Sequence, residues 1–175
     1  MSRRALLQAL AAQALAAVRA LGQTRVFRKP KPLPRGAVTH DWVSFLGPSH
    51  NAVSTETRLS RVLPPPLVWE FPKGTGYASP AVAGQRLVFI HRLADEEIVE
   101  CLHPETGSSL WRVRYPTAFE DRYGYNNGPR ASPVIDLQRV YTIGAEGKLH
   151  CLELMTGTVV WRRDLRADTP TCGSR

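Results

Sequence analysis

The chain has 175 residues, 43% of them hydrophobic, which suits one ordinary domain with apolar content enough for a core. Its formal net charge is +8, yet residues 1–40 hold eight Lys/Arg and no Asp/Glu, and from Asp41 onward 15 basic and 15 acidic residues cancel. A nucleic-acid binder needs a basic face on its folded part, because affinity comes largely from neutralising phosphates. This composition therefore excludes nucleic acid as the expected partner.

In chain order, "MSRRALLQALAAQALAAVRALGQ" has paired arginines, an alanine-leucine run and small residues at its end, with Ala20-Leu21-Gly22 as a cleavage site. Residues 1–22 read as an export signal, and "SRRALLQ" resembles its twin-arginine form. The run is too short and interrupted to span a bilayer, so the chain is expected not to cross a membrane. Residues 23–40, "RVFRKPKPLPRG" among them, read as a basic proline-rich linker, extended and disordered. Residues 41–66 are rich in turn formers and proline and read as loop. From residue 67 the pattern changes to short apolar runs.

Two phrases recur, "ETGSSLW" and "MTGTVVW", both T-G-x-x-x-W, ending at Trp111 and Trp161. Ser79-Pro80 and Gln85-Arg86 match Ser132-Pro133 and Gln138-Arg139 at an offset of 53; Cys101-Leu102, Thr106-Gly107 and Trp111 match their counterparts at 50. The change of offset is a three-residue insertion within "HRLADEE". Each copy divides into four apolar runs separated by turn chemistry, too short for helices and rich in Val, Ile, Leu and aromatics. Four antiparallel strands repeated every forty to fifty residues predict an all-β fold, a β-propeller with blades over 79–115 and 132–165. "LVWEF" places Trp69 in the same slot and predicts one further outer strand, standing alone without a blade of its own. Two blades leave a broad face uncovered at each end, and about 500 Å² of bare apolar surface forfeits about 12 kcal/mol. The expectation is the front part of a longer propeller, its other blades supplied by sequence beyond Arg175.

Strand parity puts the second-to-third and blade-to-blade connections on one rim. The insertion "LADEE" and the long "PTAFEDRYGYNNGPRA" both belong there. A long connection in a compact repeat is the place for recognition, and aromatic and arginine side chains dominate contact hot spots. Tyr77, Tyr123, Tyr125, Asn126, Asn127 and Arg130 are the candidate binding residues. No catalytic residue is evident. His91, His103 and His150 lack ligand spacing, while Glu120-Asp121 and the run Asp95 to Glu97 read as solvated charge rather than a calcium site. Cys101 and Cys151 occupy equivalent places and read as core residues.

The two copies resemble pyrroloquinoline-quinone-type propeller repeats, whose pattern ends in D-x-x-T-G-x-x-x-W, with His103 and Glu153 in place of the usual Asp. "DWVSFLGPSHNAVSTET" resembles the W-x-x-F-x-G-P-x-x-N-G-V-S opening of bacterial members, with Ala52 for Gly and Leu46 for Arg. The resemblance covers about residues 41–165. It implies one of two functions, because activity resides in sites rather than folds. The first is a non-enzymatic module of the bacterial envelope, exported to the periplasm and similar to BamB, binding envelope proteins or a small ligand on the rim without a cofactor. The second is the front of a quinoprotein dehydrogenase, which would need pyrroloquinoline quinone, calcium and an Asp base. No Cys-Cys pair of the dehydrogenase kind occurs, and no Asp here matches that base.

Overall fold

The computed structural model describes residues 23–56 and 62–168; the export signal expected over 1–22 and Cys172 lie outside them. Ten strands and one short helix follow in order: β1 Arg25–Val26, β2 Trp69–Glu70, β3 Ala81–Ala83, β4 Arg86–Leu93, β5 Glu96–Leu102, β6 Ser109–Pro116, β7 Val134–Asp136, β8 Arg139–Ile143, β9 Lys148–Glu153, β10 Val159–Asp164, and α1 Leu165–Asp168. Strands β3-β4-β5-β6 form one four-stranded sheet and β7-β8-β9-β10 a second, each in sequential order. All pairings within them are antiparallel. These are two blades of a β-propeller.

The blades stack face to face because period-2 alternation gives each strand an apolar side. In the first blade Ala81, Val88, Cys101 and Trp111 stand in one cross-strand row, and Ile90, Val99 and Val113 in the next. Opposite them the second blade presents Ile135, Val140, Leu152 and Leu154, and together these residues form the core. Burying each large side chain there contributes about 1.5–3 kcal/mol. Cys101 and Cys151 are buried free thiols, as their repeat positions suggested. Burial pushes the Cys101 thiol up to about 12, against a smaller opposing pull from Arg86, so it stays protonated and inert.

The repeated phrase explains itself at the blade boundary. Each T-G turn closes on a glycine at positive φ, +67° at Gly107 and +74° at Gly157. A bulge in the last two strands of each blade then sets the tryptophan opposite a cysteine, pairing Trp111 with Cys101 and Trp161 with Cys151. Trp111 of the first blade lies on Gly157 of the second, where a Cβ would stand 2.6 Å from its ring. Its Nε1 donates to the Leu154 carbonyl at 2.9 Å. One step earlier Trp69 repeats the contact: its ring covers Gly107 and its Nε1 donates to the Pro104 carbonyl at 3.0 Å. Trp161 makes no such contact among the described residues; it lies 6.1 Å from the Tyr141 ring and is 42% exposed.

Two expectations need correction. The outer strand at Trp69 is paired, because β1 runs antiparallel to it, Arg25 opposite Glu70 and Val26 opposite Trp69. Part of the supposed disordered linker is thus ordered by an edge that would otherwise leave its backbone groups unsatisfied. Glu97 is also not solvated: it falls on the inward side of β5 with Val99 and Cys101, fully buried, and accepts the Ala145 N–H at 2.7 Å.

The segment before the blades ties their inner strands together. Trp42 and Val82 exchange two backbone hydrogen bonds of 2.8 Å, and the Val43 carbonyl accepts from Ile135 of the second blade at 2.8 Å. Trp42 packs on Gly47, where a Cβ would be 2.8 Å from the indole. Ala52, standing where the resembling pattern has glycine, is held at φ 59°. Leu137 in the β7–β8 turn sits at φ 51°, where the first blade has Gly84 at φ 52°. Left-handed backbone costs a residue with a Cβ about 1–2 kcal/mol, partly offset by the extra chain entropy of glycine. Ala52→Gly and the exposed Leu137→Gly should therefore each raise unfolding free energy by about 0.5–1 kcal/mol in chemical denaturation; a fall would contradict the backbone assignment.

Candidate functional site

The long connection after β6 and the insertion in the β4–β5 hairpin meet on one rim. The insertion lengthens strands instead of forming a loop: β4 has 8 residues against 5 in β8. The added rungs pair Arg92 with Glu97 and Leu93 with Glu96, closed by a turn with Ala94 at φ 50°. This extension carries Arg92 to the long loop. Its Nη1 donates to the carbonyls of Phe119 and Asn127, the latter at 3.2 Å, and its Nε to Ala94 O at 2.6 Å. Thr75 and Arg92 exchange backbone hydrogen bonds, and Tyr77 N donates to Pro129 O at 2.9 Å. Gly128 lets two chain segments touch, since a Cβ there would be 2.3 Å from the Thr75 carbonyl.

Asp121 organises the loop from inside. Its Oδ2 accepts from the N–H groups of Tyr125 and Asn126 at 2.9 and 3.2 Å, and its Oδ1 from Tyr123 at 3.4 Å. Arg130 stands 3.2 Å from the same carboxylate and donates to the Asn126 carbonyl at 3.1 Å. The Arg130 guanidinium also lies 5.9 Å from the Tyr77 ring and 5.6 Å from that of Phe119. Burial alone would raise the Asp121 pKa; the three N–H donors and Arg130 outweigh it and hold the carboxyl below its ordinary range. The reading of Glu120-Asp121 as solvated charge is thus corrected for Asp121, whose side chain is 7% exposed. The D-x-Y-x-Y-N order, an Asp whose carboxylate can reach backbone amides a few residues on, was the signal for it.

The six candidates divide into two groups. Asn126 and Asn127 spend their side-chain oxygens within the loop, accepting from Gly128 N at 2.7 Å and Asp121 N at 2.8 Å. With Arg130 they are framework. Tyr77, Tyr123 and Tyr125 are displayed, at 59%, 70% and 77% exposure. The Tyr123 and Tyr125 rings lie 6.3 Å apart, with the Arg122 guanidinium 5.4 Å from Tyr123. Beside Tyr125 an open cleft of about 760 Å³ is walled by Lys73, Thr75, Arg92, Glu120 and Asn127. Lys73 donates to Gly76 O at 2.7 Å, and partial burial lowers its pKa. Sequence reasoning missed Arg92 and Asp121, the two residues that shape this surface.

Residues 94–172 match the family model described as outer membrane protein assembly factor BamB. This stretch, from β5 of the first blade through the second, carries a BamB-type, pyrroloquinoline-quinone-like repeat. Among solved structures, BamB from Moraxella catarrhalis is similar at 24% identity and a TM-score of 0.40, over 54% of this chain and 26% of that one. A europium-containing methanol dehydrogenase is similar at 22% identity and a TM-score of 0.35, over 48% and 14% respectively. The chain thus spans about a quarter or less of either protein's length. No curated protein matches it. Among the described residues no helix is long and apolar enough to cross a membrane, and no three His, Cys, Asp or Glu side chains come together as a metal-ligand group.

Because the Asp121 pKa is lower in the folded loop than in the free chain, its support is present above the ordinary aspartate value of about 4 and fades as pH falls through the folded value. Hydrogen exchange at the Tyr123, Tyr125 and Asn126 amides should quicken over that acid range. Asp121→Asn should quicken it at neutral pH while the blade amides stay protected; equal protection in the variant would contradict the loop's dependence on the carboxylate.

Proposed function

We propose that the chain serves as a non-enzymatic binding module of the bacterial cell envelope, capturing a protein partner on the rim through Tyr123 and Tyr125. The observation that carries this is a pair of exposed tyrosines on a loop already locked by Asp121, Arg130 and Arg92. Preorganised aromatic side chains give contact area at small entropic cost, which is what a recognition surface needs. Export and an envelope location rest on the signal-like N-terminus and on the BamB-type repeat. A small ligand in the adjoining cleft is compatible with the same display.

The quinoprotein reading stands second. Quinone, when bound in such enzymes, supplies the electron sink for alcohol oxidation, and calcium positions it.

Tyr123→Ala combined with Tyr125→Ala should weaken partner capture from envelope extracts at least about tenfold while leaving stability within about 0.5 kcal/mol. Arg130 is kept intact, because its loss would disturb the loop itself. Unchanged capture by the double variant would remove the proposal. Quinone-dependent dye reduction with alcohols by the calcium-loaded protein would favour the second reading.

A further inference from the structure

The two blades, being copies, can be compared row by row, and one row differs in a way that points to a ligand. In the first blade the row runs Phe89, Glu100, Arg112 across β4, β5 and β6. Glu100 is fully buried and its carboxylate meets the Arg112 guanidinium at 2.6 Å, with His91 at 3.6 Å. The acid that balances this arginine is built into the sheet. In the second blade the equivalent row is Thr142, His150, Arg162 across β8, β9 and β10. Arginine is kept in the same slot, but its cross-strand carboxylate has become histidine.

What remains is an exposed arginine without a built-in carboxylate, beside buried unpartnered polar atoms. Arg162 has no carboxylate partner among the described residues. His150 is 6% exposed and Thr142 1%, and neither His150 Nδ1 nor Thr142 Oγ1 has a hydrogen-bond partner among the described residues. Buried polar atoms without partners cost free energy until something satisfies them. The neighbouring charges are already engaged. Lys148 donates to Pro116 O at 2.6 Å and Glu146 at 2.8 Å, and Asp164 accepts from Arg166 N at 3.1 Å and Ala167 N at 3.3 Å. On the other side of His150 the Tyr115 ring of the first blade stacks at 4.3 Å. Between these groups lies a cleft of about 390 Å³, lined by Tyr115, Lys148, His150, Arg162 and Asp164 among others.

We infer that this cleft at the blade boundary is a carboxylate-binding site, in which Arg162 and His150 hold an acid supplied from outside where the first blade carries its own. The occupant is a small organic acid or an acidic side chain of a partner protein; the recognising chemistry is the same. The site is independent of the tyrosine display on the loop. Burial lowers the His150 pKa, and Arg162 and Lys148 add to the effect against the Lys148 backbone carbonyl, which favours the protonated ring, so the ring is neutral at neutral pH. A bound carboxylate would reverse that balance and draw a proton onto the imidazole.

The test is an NMR titration of the His150 ring in the intact protein, at constant ionic strength. The probes are acetate and a blocked tetrapeptide bearing one glutamate. A saturable shift of the ring is expected, weakened at least about tenfold by Arg162→Gln, since a charge-assisted hydrogen bond is lost. His150→Glu, followed through the Arg162 backbone amide because the ring is gone, should abolish acetate binding by restoring the built-in acid of the first blade. Tighter binding of the peptide would assign the carboxylate to a protein partner, and equal affinities to a small acid. An unresponsive His150 with both probes, or acetate binding undiminished by either substitution, would overturn the assignment.

Discussion

One contact recurs and everything else is arranged around it: a tryptophan at the outer edge of one blade lies on a glycine in the last turn of the next. Trp69 on Gly107 and Trp111 on Gly157 are the same joint made twice. The joint needs a residue without a Cβ, at positive φ, and an indole whose N–H meets the carbonyl three residues before that glycine. Neither half has a purpose within its own blade. That is why threonine-glycine and tryptophan travel together in the sequence: the glycine receives a ring from behind, and the tryptophan is offered to the sheet ahead.

The joint fixes the blade spacing, and the rim follows from it. With the blades held, the connection from β6 to β7 has more chain than the span requires, and the surplus folds around Asp121. The longer β4–β5 hairpin supplies Arg92 as a buttress from below. Two insertions that look unrelated in the sequence are one structure in space. Its outcome is a rigid loop whose polar groups face inward and whose Tyr123 and Tyr125 face solvent.

The fold was legible because its determinants are periodic. Strand alternation, glycine in turns and the spaced tryptophans each point to the same architecture, and Cys101 and Cys151 fell in the core where their repeat positions put them. What escaped were interactions between distant segments with no local signature. Nothing in "RVF" announces pairing with Trp69 and Glu70; only the free edge of β2 does. Glu97 looked like one more acid in a charged run, because alternation alone cannot say that its partner would be the Ala145 amide 48 residues later. In the rim loop the sequence sets tyrosines, asparagines and an arginine side by side without showing which hold the loop together and which are exposed. Asn126, Asn127 and Arg130 look as much like contact residues as the tyrosines do until their hydrogen bonds are seen. Conversely, the replacement of Glu100 by His150 was visible in the sequence, but it acquired meaning only once Arg112 and Arg162 were seen to occupy the same slot.

The claim that the repeated phrase is a joint between blades is tested most directly by a double-mutant cycle on Trp111→Phe and Gly157→Ala, read by chemical denaturation. If the indole and the glycine act as one contact, the two losses should overlap, with a coupling energy of about 1–3 kcal/mol. Strictly additive losses would mean that each residue serves only its own blade, and would contradict the account.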